Sequence, residues 1–241
     1  MTKMPALCLF VLSLPLFFLS AFPVQAVEKD LPNMERAEQI AGQEVKPIEG
    51  SSLRYVFLYE DDAQKEGIPF GLYLYDTNGA FGGVLEYEPD MGPMGQTPVL
   101  SPEWQTLAVD AGETEGRTWY FYSYPRLSRL KAKPLDYFVS ASPKQLLWQG
   151  ENTVYVHRQL TGDSKGRTCH YEGCGPISII RYSLDDSSES TVLEGTPLCD
   201  YLLESIEGNI LKVRKICLER LDDWKDYPLN KPGEIVEVRL Q

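Results

Sequence analysis

The stretch "VLSPEWQTLAVDAG", Val99 to Gly112, reads as an apolar strand, a Ser-Pro corner, a turn and a second apolar strand closing on Asp-Ala-Gly. Taken alone it is a hairpin. Its parts recur along the chain, however, and the recurrence decides the fold. The corner is echoed by "SPKQLLWQ" from Ser142 and more loosely by "SIEGNILKV" from Ser205, and the segment "TGDSKGRTCHYEGCG" (161–175) accounts for the wider second spacing. After each echo a Gly or Pro precedes a strand of alternating large residues: "GRTWYFYSYP" (116–125), "GPISIIRYSL" (175–184) and "PGEIVEVRLQ" (232–241). "PFGLYLYDTNG" (69–79), with its own preceding strand "LRYVFLYE" (53–60), is an earlier fourth copy. These segments predict an all-β domain over 51–241 made of repeated antiparallel β-sheet units, about four in number.

Turn chemistry fits hairpins within the units. Asp76 can accept from turn N–H groups while Asn78-Gly79 tolerates positive φ, and "QGEN" (149–152) does the same before "TVYVHRQ". A Ser-Pro corner followed by an apolar strand resembles the blades of secreted TolB-like and WD40-like β-propellers, whose motif runs approximately Ser-Pro-Asp-Gly before the strand. Glu103-Trp104 and Lys144-Gln145 stand where that motif has Asp-Gly. The resemblance implies a β-propeller-like array, with a small ring, an incomplete ring and a sandwich of the same hairpins as the three closures open to about four units.

The N-terminus carries Lys3, an apolar run over 6–22 and Val24-Gln25-Ala26 before a charged segment, which is the pattern of a signal peptide (1–26) cleaved after Ala26. A polar linker (27–50) follows, with a short helix expected in "NMERAEQIAG" (33–42). The chain is expected to be exported, to the periplasm or beyond, without membrane insertion after cleavage. Four cysteines remain: Cys169, Cys174, Cys199 and Cys217. In an exported protein they imply disulfides, of which the local pairing 169–174 and 199–217 is the preferred connectivity among three. Zinc is the alternative, but "CHYEGC" lacks Cys-x-x-Cys pairs.

The net charge of −12 argues against nucleic acid and anionic membranes as partners, and suits a basic protein. There are two histidines. His157 reads as an exposed or edge residue on a strand, and His170 sits in the cysteine segment. No nucleophile elbow or zinc-protease motif occurs. The acidic groups Glu60-Asp61-Asp62, Asp110, Asp185-Asp186 and Asp222-Asp223 adjoin turns, where carboxylates cap backbone N–H groups and solvate loops. Calcium at "YEDDAQKEG" or "DTNG" is a weaker option, since neither has the ligand alternation of an EF-hand, and no cofactor is expected. Dense strand aromatics, including Trp119 and Trp148, are read as packing between sheets, with a recognition surface as the alternative.

These features lead to the expectation of a non-catalytic, exported, protein-binding β-repeat protein, in its specific form a periplasmic inhibitor or immunity protein that neutralises a partner enzyme or toxin. Its binding loops would use Trp104, Asp61, Asp62, Glu113, Glu115, His170, Tyr171 and Glu172. Two alternatives are a carboxylate- or calcium-dependent hydrolase, needing two or more of Asp61, Asp110, Asp185 and Asp223 to converge, and a carbohydrate-binding module, needing exposed rings such as Trp104 and Trp119.

Overall fold

An antiparallel hairpin satisfies its backbone internally but leaves two faces to cover, and here sheets cover one another. The computed structural model describes residues 31–87, 98–112, 116–138, 144–159, 175–219 and 233–240. The first unit is β1 (Lys46–Pro47), β2 (Leu53–Leu58), β3 (Gly71–Asp76) and β4 (Phe81–Glu86). The second is β5 (Val99–Leu100), β6 (Thr106–Ala111) and β7 (Gly116–Ser123), with the fourth position shared by β8 (Ser128–Arg129) and β9 (Leu135–Phe138), both paired to β7. The third is β10 (Leu146–Gln149), β11 (Thr153–Gln159), β12 (Ile177–Ser183) and β13 (Glu189–Leu193). The fourth is β14 (Cys199–Glu207), β15 (Ile210–Cys217) and β16 (Glu234–Arg239). Each sheet pairs its strands antiparallel in chain order, so each unit is a meander of the propeller-blade kind.

The sheets stack face to face through separate cores. Tyr55, Leu72 and Leu74 of unit one meet Leu107, Val109 and Tyr122 of unit two. The other face of unit two, with Trp119, Phe121 and Tyr137, meets Trp148, Val154, Val156 and Tyr182 of unit three. Unit three then packs Tyr155 and Ile179 against Leu203, Leu211 and Val213 of unit four. Among the described residues no core cluster joins unit four back to unit one, so the array is an incomplete propeller. Its ends are closed differently. The far face of unit one (Val56, Leu58, Tyr73, Tyr75) is covered by two helices, α1 (Met34–Ala41) and α2 (Glu60–Glu66). Unit four ends in charge: Arg214 pairs with Glu204 at 2.6 Å, Lys212 with Glu207 at 2.6 Å, and Glu234, Glu237 and Arg239 of β16 are exposed. A repeat array needs such terminal caps, because an end unit has no neighbour to bury its outer face.

The helix expected near 33–42 is α1. Asn33 Oδ1 accepts from Arg36 N at 2.9 Å, and Gly42 ends the helix at φ 62°. The segment read as a polar linker therefore supplies part of the fold, including β1. The second helix replaces the solvated turn expected at Glu60-Asp61-Asp62: three acidic residues at a helix start, Lys65 in its last turn and Gly67 at φ 67° are helix-end signals that outweigh its short length.

Two further corrections concern position. Ser205 lies inside β14 rather than at a corner, and Ser142 is outside the described residues. The counterparts of the Ser101 corner are the other first-to-second-strand turns, at 48–52, 150–152 and 208–209. Each reverses through a residue of positive φ: Gly50 (75°), Trp104 (60°), Gly150 (62°) and Gly208 (61°). His157, expected at a surface or edge, is fully buried and accepts from Leu203 N at 2.8 Å. Both faces of unit three are covered, so a polar residue in its alternation pattern does not mark a solvent face.

Trp104 is the exception among these turns. A bulky residue in the left-handed region costs about 1–2 kcal/mol, and its half-buried ring packs on the core between units one and two. Trp104→Gly is therefore expected to be about 1 kcal/mol less destabilising than Trp104→Ala, since both lose the ring but only Gly relieves the backbone. Urea unfolding of the two variants reads the order directly; Ala equal to or better than Gly would show that the turn stores no strain.

Cys199 and Cys217 form a disulfide across β14 and β15 as expected, whereas Cys169 and Cys174 lie outside the described residues, as does 1–26.

Candidate functional site

The first strands of the four units converge on one groove of about 640 Å³. Gly50 of unit one, Pro98 and Pro102 of unit two, Leu146 and Trp148 of unit three and Ile206 of unit four line it, together with Trp119 of β7. Each contributing residue lies on or beside a first strand except Trp119, so the groove is the hub of the array. Glu49 and Lys144, from units one and three, form an ion pair at its wall.

Both tryptophans are nine-tenths or more buried, and neither indole N–H has a hydrogen-bond partner among the described residues. Leaving such a donor unmatched costs about 1–3 kcal/mol. The two rings come from facing sheets: Trp119 stacks on Tyr137 with centroids 5.1 Å apart, and Trp148 meets Phe121 edge-on at 6.1 Å.

Opposite Trp119 in the β6–β7 ladder stands Asp110, which is fully buried. Arg117 Nε donates to its Oδ2 at 2.5 Å, and the Tyr137 hydroxyl donates to the same oxygen at 2.9 Å. Asp110 Oδ1 and Arg117 Nη2 have no partner among the described residues. Burial pushes the Asp110 carboxyl above the usual range, and Arg117 and Tyr137 pull it part of the way back. Burial, then the adjacent carboxylate, drive the Tyr137 phenol well above its ordinary value. Asp110 is fully buried and is not among the residues that line the groove.

Ser101 is a turn former. Its 1 % exposed hydroxyl accepts from Thr106 N at 2.9 Å and donates to Glu151, whose other oxygen accepts from Glu103 N at 2.6 Å. That clamp joins the first turns of units two and three. Farther along, Ile177 N at the start of β12 donates to Asp200 at the start of β14, at 2.8 Å. Equivalent strand ends thus lie together from unit two to unit four.

The connections at the two ends differ. First-to-second-strand turns are tight, at 48–52, 101–105, 150–152 and 208–209. Second strands join third strands through 59–70, 112–115, 160–176 and 218–233. These four segments hold twelve Asp or Glu against six Lys or Arg, half the net charge of −12. All the expected loop contacts except Trp104 belong to them. Asp61 is exposed on α2, and Asp62 is half-buried with Lys65 at 3.1 Å. Glu113, Glu115, His170, Tyr171 and Glu172 lie outside the described residues.

Of the carboxylates the hydrolase alternative requires, Asp61 is on the helical cap, Asp110 between units two and three, and Asp185 in the exposed turn after β12, so these three do not converge; Asp223 is outside the described residues. Among the described residues no three His, Cys, Asp or Glu gather as a metal site, and no helix is long and apolar enough to cross a membrane. Trp119 is 1 % exposed and Trp104 half-buried, so neither presents a fully exposed ring to stack on a sugar. The groove itself was not legible as a site. Its sequence signal is aromatic density, which it shares with many other strands of the core.

No family model and no curated protein matches this chain. Solved structures similar to it include a protein described as a conserved lipoprotein from Clostridium novyi NT, at 12% identity and TM-score 0.43 over 64% of this chain and 91% of that one. A prolyl endopeptidase is similar at 14% identity and TM-score 0.48 over 88% of this chain and 32% of its own, and an oligogalacturonate lyase at 14% and 0.40 over 74% and 46%. The chain spans about a third of the endopeptidase and under half of the lyase.

Proposed function

We propose that this chain is an exported, non-catalytic scaffold that binds a basic protein through the acidic second-to-third-strand connections, in its specific form an inhibitor or immunity protein acting in the envelope. The observation that carries this reading is the asymmetry between tight turns at one end and long or acidic segments at the other. Rigid sheets that hold variable loops at one end are the usual way a scaffold presents a binding face. The acidic charge favours encounter with a basic partner. Export is supported by the leader-like pattern in 1–26 and by the Cys199–Cys217 disulfide, since such bonds persist in oxidising compartments.

The test is capture by the mature chain (27–241) from envelope and secreted fractions, with mass spectrometry of what is retained. A specific basic enzyme whose activity the chain abolishes is the expected result. Reversing charge with Asp61→Lys, Glu113→Lys and Glu115→Lys together should slow association by about tenfold or more at low salt, with the difference shrinking as salt screens it. A neutral or acidic partner, unchanged association in that triple variant, or metal-dependent turnover of a glycan or ester by the chain itself would overturn the reading.

A further inference from the structure

We propose that a small pocket at the mouth of the first acidic connection, 59–70, binds an arginine side chain presented by a protein partner. The inference rests on the reading that this partner is basic. The pocket, about 220 Å³, lies where β2 runs into α2, and Tyr59, Glu60, Phe70 and Tyr87 line it together with the end of β2 and the start of β3. Tyr59 is 53% exposed and Glu60 is exposed, so both are open to an incoming group. The Phe70 and Tyr87 rings stand 5.0 Å apart, and Tyr87 N donates to Phe70 O at 3.1 Å, which holds the two residues together.

Size and charge select the occupant. Drug-sized ligands occupy about 300–1,000 Å³, so this pocket has room for a single side chain. The one charged group in its lining is the Glu60 carboxylate, and the rest is aromatic and aliphatic, a combination that attracts a cation through both charge and ring quadrupole. Glu60 Oε1 accepts from Gln64 Nε2 at 2.8 Å, and its Oε2 has no partner among the described residues. Glu86, opposite Gly71 in the β3–β4 ladder, adds a second carboxylate at this end of the sheet, while the nearby cations Arg36 and Lys65 are held by Glu66 and Asp62. Arginine matches best. Its planar guanidinium stacks on rings and forks onto a carboxylate, and it is more weakly hydrated than a lysine ammonium. An apolar side chain would strip water from Glu60 and return no hydrogen bond, and an acidic one would be repelled.

The probe is N-acetyl-arginine amide, with N-acetyl-citrulline amide as control, a neutral side chain of the same length and nearly the same shape. Titrated into the mature chain (27–241) labelled with 15N, the arginine compound should shift the amides of Tyr59, Glu60 and Gly71 saturably, with a dissociation constant of about 1 mM. The citrulline compound should bind about tenfold more weakly or less. Glu60→Gln and Tyr59→Leu alter exposed side chains, and each should weaken the arginine compound about threefold to tenfold. No saturable shift, equal affinity for the two compounds, or undiminished affinity in either variant overturns the proposal. With a captured partner, Tyr59→Leu should speed dissociation about fivefold, whereas the charge reversals in the connections slow association. A basic partner whose dissociation is unchanged by Tyr59→Leu overturns this inference and leaves the acidic end as the binding face. Saturable, charge-selective arginine binding alongside a neutral or acidic partner upholds the pocket and overturns the wider reading.

Discussion

Arg117→Met is expected to destabilise the protein by about 3–5 kcal/mol, the cost of leaving a buried carboxylate without its counter-ion. Asp110 is fully buried between units two and three, and Arg117, with a side chain 10% exposed, is the cation at hydrogen-bond distance. The Tyr137 hydroxyl continues to donate after the substitution but supplies no charge. Adding Asp110→Asn should recover more than half of the loss, because an amide of the same shape still accepts from Tyr137 and carries no charge to desolvate. Equilibrium urea unfolding of the two single variants and the double variant measures the coupling. Additive losses, or a single-variant loss below about 1 kcal/mol, would show that the pair behaves as a surface ion pair.

The second large effect is a loss of stability in acid centred on His157. Burial pulls this imidazole down to about 3, and its neutral form accepts from Leu203 N at the seam between units three and four. In the unfolded chain the same group takes up a proton near pH 6.5. Between those values the unfolded state binds the extra proton, so the contribution is complete above pH 6.5 and is lost as pH falls toward 3. The slope is about 1.4 kcal/mol per pH unit, and the full span reaches about 4–5 kcal/mol. His157→Gln keeps an acceptor without titrating. Carboxylates titrate in the same window in both proteins, so the difference between the two pH profiles isolates the histidine. Parallel profiles from pH 4 to 7 would mean that the imidazole is not held neutral by the fold.

Both predictions turn on residues whose sequence context is misleading. Asp110 stands near the end of "TLAVDAG", which reads as a strand meeting a turn, and His157 sits in "TVYVHRQ" with the parity of a solvent face. Parity separates core from solvent only when a sheet has one wet face. Here units two and three are sandwiched, and a polar residue on either face is buried where it finds a partner, whether in the next sheet, as Leu203 is for His157, or in its own, as Tyr137 and Arg117 are for Asp110. The groove has no local sequence signature for a related reason. Trp119 and Trp148 are two among many strand aromatics, and nothing local distinguishes an aromatic with an unmatched N–H from one that only packs.

Local chemistry was enough wherever the outcome depends on neighbours a few residues away. The hairpin at 99–112, the Asp76 turn, whose carboxylate accepts from Asn78 N and Ala80 N, the cap of α1 and the cross-strand Cys199–Cys217 pair were all legible in order along the chain. Composition and periodicity likewise determined an all-β repeat of four units, because the two-residue alternation and its turns are properties of each segment. Tertiary structure alone decided which turns are equivalent, that the array stops as an incomplete propeller with a helical cap on one face and a charged one on the other, and that four first strands meet in a groove. Those outcomes depend on which face of one sheet meets which face of the next, and that contact is made between residues about fifty positions apart, beyond the reach of any local pattern.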